Sequence, residues 1–496
     1  MLEDFLNREV QAGPDGLLLQ NTMSAAPKTP TMLSDAFGTI VVRAIGIVLM
    51  FASMTLTARL LGPAEYGTYS AALALALLLA TLAPMGTDRI LVRNLSTVKS
   101  AEEAGRETAI AHLCTACCAL LLLLGCLSAW LINALFLDNP RWAQTALLAS
   151  IMFLPLTVTF LRQWVAISLI GTRRAVMPEQ TVLPLIFTAT MLVIAVTGCQ
   201  QTAFTTSSVY AGAQLLVWLG SLVGDPLHAA YRSAMATFRD AARLPVGRRI
   251  LDGVPYVSVA IGAVLSQSCM PLVIAATCGM DETAIFTLAM PYAALAAIPL
   301  GVLNLIMVPR CARYFLNGEF EEANHAVRSA ATATFVLAAA ISIVTWVCSP
   351  WLIAMLGAQY SMVCKLFPPL LLAVLVDCLT GPTIPVMQTM RMEKSHARAL
   401  LVYIPIQLTL VCWFGRIADI EGAAMAYLLS RCLWNVAVLI RIYQVLGLVM
   451  LPYLQVSRAL HEWAAATVCE IRPGTSTHKT RIVPLSELPG EAIRVA

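Results

Sequence analysis

The sequence has 496 residues, of which 59% are hydrophobic and 12% are charged. Soluble domains average roughly 45–50% apolar and about 25% charged residues, so this composition excludes an ordinary soluble enzyme. Lysine and arginine total 32, aspartate and glutamate total 28, and the net charge of +4 is too small to indicate a nucleic-acid partner.

Long uncharged stretches recur between residues 36 and 446, and each has the length of a membrane-spanning helix, about 20 residues. Backbone polar groups inside a bilayer must be bonded within the segment or in a closed barrel, and stretches this continuously apolar are not barrel strands. The sequence therefore predicts an all-α integral membrane protein. Its twelve predicted spans are residues 36–60, 69–90, 110–136, 143–170, 182–198, 203–223, 253–278, 284–308, 330–356, 363–387, 399–414 and 422–446.

Basic residues are distributed unequally between the two sides of the predicted membrane. Connections on one side hold seventeen: Arg89, Arg93, Lys99, Arg106, Arg173, Arg174, Arg232, Arg239, Arg243, Arg248, Arg249, Arg310, Arg313, Arg328, Arg391, Lys394 and Arg398. Connections on the other side hold four: Arg59, Arg141, Lys365 and Arg416. Because cytoplasmic loops are enriched in lysine and arginine, both termini are predicted to be cytoplasmic. An odd number of spans would destroy this alternation, so the charge pattern independently favours twelve.

Composition also divides the chain into regions. Residues 1–33 contain three prolines and no long apolar core, which predicts a disordered tail rather than a signal peptide. Residues 34–224 are predicted to form the first half, 225–252 a basic cytoplasmic connector, and 253–446 the second half. Residues 447–496 are predicted to be a cytoplasmic tail whose segment 450–469 forms an amphipathic helix. The fourteen cysteines lie mostly in apolar stretches without paired C-x-x-C spacing, so no metal site is predicted.

The two halves contain matching segments in the same order. Residues 61–69 and 278–286 each join two spans and lie 217 positions apart, and Pro-Met-Gly at 84–86 recurs as Pro-Leu-Gly at 299–301. An even number of helices in each half would give both copies the same orientation. The sequence therefore predicts two six-helix lobes around a central cavity, an arrangement used for alternating access. A duplication that serves packing alone is the alternative.

The chain resembles a known protein family in two segments. The first predicted span runs into ARLLGPAEYGTY at residues 58–69, and LGAQY at 356–360 precedes the tenth. These segments resemble the polysaccharide-biosynthesis flippases of the multidrug, oligosaccharidyl-lipid and polysaccharide exporter superfamily. One position departs from the pattern, because Cys269 stands near the place where many relatives carry an acidic residue in the seventh span, and no coupling role transfers there.

The resemblance implies a function and its partners. Such a protein turns an undecaprenyl-pyrophosphate-linked oligosaccharide from the inner to the outer leaflet of a bacterial cytoplasmic membrane, without a cofactor. The implied partners are that lipid-linked oligosaccharide, the membrane lipids, and a polysaccharide polymerase and chain-length regulator.

Arginines inside apolar sequence are the first candidates for the site. Arg43, Arg162 and Arg431 lie within predicted spans, where an unpaired charge is unfavourable by at least about 2.5–3.5 kcal/mol. Arginine suits phosphate because its planar fork donates two parallel hydrogen bonds and stays charged. We predict that the three line a cationic cavity that binds the substrate. The alternative for Arg43 and Arg162 is that their side chains reach the membrane interface.

Asp377 and several uncharged polar residues are the second group of candidates. Asp377 is the central carboxylate of the tenth predicted span; either it pairs with one of the arginines or it is the protonatable group through which an ion gradient drives transport. The predicted polar cavity residues are Gln163, Gln214, Gln267, Asn304 and Gln407. Hydrogen bonding between helices is the alternative role for these five.

Several sequence features argue against rival functions. No DxD pair, GxxxxGK loop or HExxH motif is present, so a membrane-embedded polysaccharide enzyme is not predicted. A drug or ion antiporter of the same superfamily is the main alternative, but such relatives are expected to carry an acidic residue in the first span, where the charged residues here are Arg43 and, at the end, Arg59. A lipid II flippase is a further alternative, although some members have two additional helices.

Overall fold

The computed structural model describes residues 30–95, 101–135, 140–222, 231–236, 246–390, 392–447 and 450–452, and within these residues all regular secondary structure is helical. This confirms the all-α prediction. The predicted N-terminal tail up to residue 29, residues 225–230 and 237–245 of the predicted connector, and residues 453–496 of the predicted tail with its amphipathic helix lie outside the described residues.

The helices follow one another closely along the chain. Those of the first half are α1 Pro30–Leu82, α2 Thr87–Leu95, α3 Ala101–Leu135, α4 Pro140–Ile170, α5 Thr172–Met177, a π-helical turn Pro178–Val182, α6 Leu183–Thr197 and α7 Ala203–Ser221. Those of the second half are α8 Val246–Thr277, α9 Met280–Ala294, a 3₁₀ turn Leu295–Ala297, α10 Ile298–Asn317, α11 Phe320–Val347, α12 Ser349–Leu356, a 3₁₀ turn Ala358–Tyr360, α13 Val363–Thr380, α14 Thr383–Thr389 and α15 Glu393–Leu446.

Two of these runs are too long for a single membrane span. At 53 and 54 residues, α1 and α15 would each extend about 80 Å at a rise of roughly 1.5 Å per residue, against a hydrocarbon core of about 30 Å. Non-helical residues divide both: Gly62 in α1, and Ala418 and Asp419 in α15. Counted as continuous runs, eight helices in the described part of the chain are long and apolar enough to cross a membrane.

Two turns that correspond in the predicted repeat share a backbone conformation. Gly62 has φ 76° and ψ 172°, and Gly279, 217 positions later, has φ 122° and ψ 176°. Positive φ is accessible to glycine because it lacks a Cβ atom. Each glycine directly precedes a new helical segment, at Pro63 and Met280. The second predicted match differs, because residues 84–86 form a turn whereas 299–301 lie in the first turn of α10.

Small residues allow the central helices to approach closely. α1 packs most extensively against α4 of its own half and against α9 of the other half, and also contacts α8. Ala72, Ala76 and Ala80 of α1 and Ala284 and Ala289 of α9 are fully buried. Such residues bring helix backbones together in proteins that pack within lipid. The contact between the two halves is therefore centred on α1.

The halves also meet at both ends of the bundle. At one end, which we call the Gly62 end, the Tyr360 hydroxyl donates a 2.8 Å hydrogen bond to the Ala58 carbonyl. At the opposite end, which we call the Gly86 end because the turn after α1 lies there, Arg249 at the start of α8 forms an ion pair with Glu107 of α3. The space between the halves is thus bounded at both ends.

Candidate functional site

A cavity of about 780 Å³ lies between the halves. Its walls are formed by α1, the π-helical turn, α6 and α7 of the first half, and by α8 and α9 of the second. Arg43 and Thr57 line it from α1 and are separated by about 20 Å along that helix, at roughly 1.5 Å per residue. The cavity therefore extends from near the Gly86 end toward the Gly62 end.

Arg43, one of the three arginines predicted to bind the substrate, lines this cavity. Its side chain is exposed, and it forms no ion pair or hydrogen bond with any other residue that the structure describes. Of the predicted site residues whose side chains are described, it is the only one that lines this cavity.

Arg162 lies behind the cavity wall. Its side chain is fully buried, and its guanidinium group donates to Oε1 of Glu179 from Nη2 at 2.5 Å and from Nε at 3.2 Å. A third hydrogen bond, of 2.8 Å, goes to the carbonyl of Ala175. The buried charge is therefore compensated by Glu179, which itself lines the cavity.

Glu179 was not predicted as a site residue. It lies in the π-helical turn Pro178–Val182, which begins with a proline and interrupts the helix between α5 and α6. Such turns insert an extra residue into a helix and are frequent at functional sites. Hydropathy placed the fifth span at 182–198 and so left Glu179 outside it, whereas the apolar helical run extends from Arg173 to Thr197. The one signal in the sequence that could have indicated Glu179 is its closeness to Arg162 along the chain.

Aromatic side chains form part of the cavity wall. Tyr66, Tyr69, Phe187 and Tyr210 all line it. The ring centroids of Tyr69 and Tyr210 lie 6.4 Å apart, and those of Phe187 and Tyr210 lie 5.6 Å apart, both in edge-to-face arrangements. Gln214 Nε2 donates to the Tyr210 hydroxyl at 3.2 Å. The wall thus offers apolar ring surface together with phenolic hydroxyl groups.

Arg431 and Asp377 form a separate network in the second half. Arg431 donates from Nε to Asp377 Oδ1 at 3.1 Å, and its Nη2 bonds the other carboxylate oxygen, Oδ2. Asn435 Nδ2 donates to Asp377 Oδ1 at 2.7 Å, and the Thr380 hydroxyl donates to Asn435 Oδ1 at 2.7 Å. Both oxygens of this carboxylate are therefore bonded within the protein.

The predicted polar residues lie in several places. Gln163 is half-buried on α4 and Gln214 is buried on α7. Oδ1 of Asn304 and both polar side-chain atoms of Gln407 are buried without a hydrogen-bond partner among the described residues. The side chain of Gln267 lies outside the described part of the structure. The structure does not bring these residues together around the cavity on α1.

Comparison with known proteins places these features in a family. The model of the polysaccharide biosynthesis protein family matches residues 32–315, more than half of the chain. The chain belongs to that family. This confirms the resemblance drawn from residues 58–69. No curated protein sequence gives a significant match.

Solved structures with the fold of this polysaccharide biosynthesis protein are membrane transporters. An inward-facing multidrug resistance MATE family transporter of the MOP superfamily is similar at 13% identity, with a TM-score of 0.65 over 83% of this chain and 98% of that one. The lipid II flippase MurJ, in an inward closed conformation, is similar at 12% identity, with a TM-score of 0.56 over 90% and 94%. An outward-facing MATE family transporter gives 12% identity and a TM-score of 0.52 over 83% and 94%. The family member therefore has the MOP transporter fold.

Proposed function

We propose that the protein flips an undecaprenyl-pyrophosphate-linked oligosaccharide from the inner to the outer leaflet of a bacterial cytoplasmic membrane. Twelve spans in two six-helix lobes would rock about the cavity, with the Gly86 end facing the cytoplasm. The eight long apolar runs become ten when α1 and α15 are divided at their non-helical residues. The helices α7 and α8 bring the number to twelve. A polymerase and a chain-length regulator would act on the product outside.

The charge balance of the cavity is the observation that supports this proposal. Arg43 and Glu179 are the charged side chains among the lining residues, and Glu179 is already neutralised by Arg162 behind it. Among the residues that the structure describes, none compensates the charge of Arg43. A cavity with one net positive charge attracts an anionic headgroup and repels a cation, because a charge within a low-dielectric wall is only weakly screened.

A multidrug or ion antiporter is the alternative function. A transporter of cationic drugs needs negative charge in its cavity, and α1, which supplies much of the wall here, contributes a cation instead. Family membership also supports the polysaccharide assignment over a drug transporter, because the matching family model describes polysaccharide biosynthesis.

Replacing Arg43 tests the proposal. In proteoliposomes loaded with undecaprenyl-pyrophosphate-linked oligosaccharide, Arg43→Ala is expected to slow flipping roughly 10- to 100-fold, since a hydrogen bond to a charged group contributes about 1.5–3 kcal/mol. Arg43→Lys should keep part of the activity, because lysine retains the charge but not the bidentate geometry. The measurement is the fraction of oligosaccharide accessible to a lectin outside the vesicles.

Arg416→Ala is the matched control, because this exposed arginine is not among the residues that line the cavity. It should flip the substrate at the wild-type rate. Equal rates in Arg43→Ala and wild type would refute the cationic-cavity mechanism. Transport of a cationic dye by the wild type, without flipping of the lipid-linked sugar, would favour the antiporter instead.

A further inference from the structure

Among the described residues, the carboxylate of Glu179 is bonded through only one of its two oxygens. Both donors from Arg162 converge on Oε1, at 2.5 and 3.2 Å. Oε2 is buried and has no hydrogen-bond partner among the described residues. Because Arg162 is fully buried and also bonded to the Ala175 carbonyl, the guanidinium group is fixed and cannot easily turn to reach Oε2. A residue of the cavity wall therefore holds, just beneath the surface, an acceptor that no described residue uses.

A second carboxylate–arginine pair, half-buried in the other half of the protein, shows that this arrangement is not a general feature of the fold. Asp377 engages Arg431 through both oxygens and accepts a further bond from Asn435. Buried polar atoms in proteins are nearly always paired, so an exception calls for an explanation such as a ligand. Of the two pairs, Glu179 is the carboxylate that leaves an oxygen without a partner among the described residues, and it lines the cavity whereas Asp377 does not.

The group that satisfies Oε2 must be a hydrogen-bond donor. A cationic donor is disfavoured, since Arg162 already neutralises Glu179 and Arg43 adds a positive charge to the same cavity. A neutral hydroxyl group fits both conditions. The terminal torsion of a glutamate side chain is broad and soft, so a small rotation would present Oε2 to a ligand in the cavity.

We propose that Oε2 of Glu179 accepts a hydrogen bond from a hydroxyl group of the transported sugar. The proposal rests on the flippase function and names a sugar-binding subsite within it. Arg43 would hold the phosphate, Arg162 would hold Glu179 in place, and the rings of Tyr69 and Tyr210 would contact the apolar face of the sugar. Arg162 is then a positioning residue that does not touch the substrate.

The variant Glu179→Gln tests this subsite with little change in volume. If the side-chain amide keeps its oxygen on Arg162, its NH₂ group replaces Oε2 and presents donors where the substrate needs an acceptor. The probes are undecaprenyl pyrophosphate and undecaprenyl pyrophosphate carrying one hexose, titrated onto the full-length protein in nanodiscs. The quantity measured is the ratio of their dissociation constants, which isolates the contribution of the sugar.

The wild type should bind the glycosylated lipid roughly tenfold more tightly, the effect of one hydrogen bond to a charged acceptor, and Glu179→Gln should reduce this ratio to about one. Glu179→Asp, which keeps the charge opposite Arg162 but shortens the side chain, should lower the ratio as well and provides a second test if the amide variant unfolds. Asp377→Asn makes the same chemical change in the other buried pair and should leave the ratio unaltered.

The possible failures are distinguishable. A wild-type ratio retained by folded Glu179→Gln or Glu179→Asp would overturn the sugar subsite. Tight wild-type binding of both lipids with no preference would also overturn it, while leaving the flippase function standing. Binding of neither lipid by the wild type would overturn the proposed function, and the subsite with it.

Discussion

Gly67→Ala is expected to hold the Gly62 end of the protein open and to lower the rate of flipping at least about tenfold. A Cβ atom at position 67 would lie 1.8 Å from the backbone carbonyl oxygen of Met280, so no side-chain rotation relieves the clash. Overpacking of this kind is unfavourable by typically about 1–3 kcal/mol, and about 1.4 kcal/mol is a factor of ten in a population. The contact joins α1 to α9, which belong to different halves.

The direct measurement is how readily a cysteine in the cavity reacts with a labelling reagent. In a background without other cysteines, Thr57→Cys lines the cavity close to the Gly62 end and is buried in this structure. Adding Gly67→Ala should make this cysteine react with a membrane-impermeant maleimide applied from outside. Unchanged labelling together with wild-type flipping would show that the halves do not need to approach at this point.

Two further glycines serve as comparisons. Gly253→Ala should have the reverse effect on accessibility, because its Cβ would lie 2.2 Å from the Met85 carbonyl at the Gly86 end. Cysteine at the cavity-lining position Ile47 should then react faster from the cytoplasmic side. Gly212→Ala places a Cβ with no atom within 4 Å and should behave as the wild type. Opposite responses at the two ends are what alternating access requires.

Some features of the site can be predicted from the sequence alone. The isolation of Asp377 and Arg431 in apolar sequence indicated that they needed compensation, because an unpaired charge is unfavourable in hydrocarbon. The structure pairs these two. Gly62 and Gly279 were aligned by the repeat, and both adopt positive φ. Such features depend on the chemistry of a residue and its immediate neighbours along the chain.

Glu179 and Gly67 illustrate the features that the sequence did not reveal. Hydropathy measures transfer of a segment into lipid but not the rotation of a helix about its axis, and helices that are apolar on all sides carry little directional signal. The π-helical turn that places Glu179 on the cavity wall has no hydropathic signature. The approach of Gly67 to Met280 joins residues that are distant in sequence. The sequence therefore indicated Arg162 as a cavity residue, whereas the structure places it behind the wall and its partner Glu179 on the wall.

Asp377→Ala is expected to destabilise the protein by about 3 kcal/mol, because it would leave the half-buried Arg431 without its counter-ion inside an apolar helix. The loss includes the bonds from Arg431 and from Asn435, and Nδ2 of Asn435 would keep only its 2.9 Å bond to the Arg431 carbonyl. Thermal unfolding in detergent measures the effect. The double variant Asp377→Leu with Arg431→Met should recover most of the stability, since apolar residues of similar volume often replace a buried pair without loss.

The same double variant separates the two roles considered for Asp377. If the carboxylate only compensates Arg431, the folded double variant should flip its substrate with the wild-type dependence on an imposed proton or sodium gradient. If Asp377 carries the coupling ion, the stability should recover while the dependence on the gradient disappears. The ion pair favours the first result, because a coupling ion bound at Asp377 would have to compete with the guanidinium group of Arg431, which already neutralises the carboxylate. Gradient-independent flipping by a stable double variant would contradict that expectation.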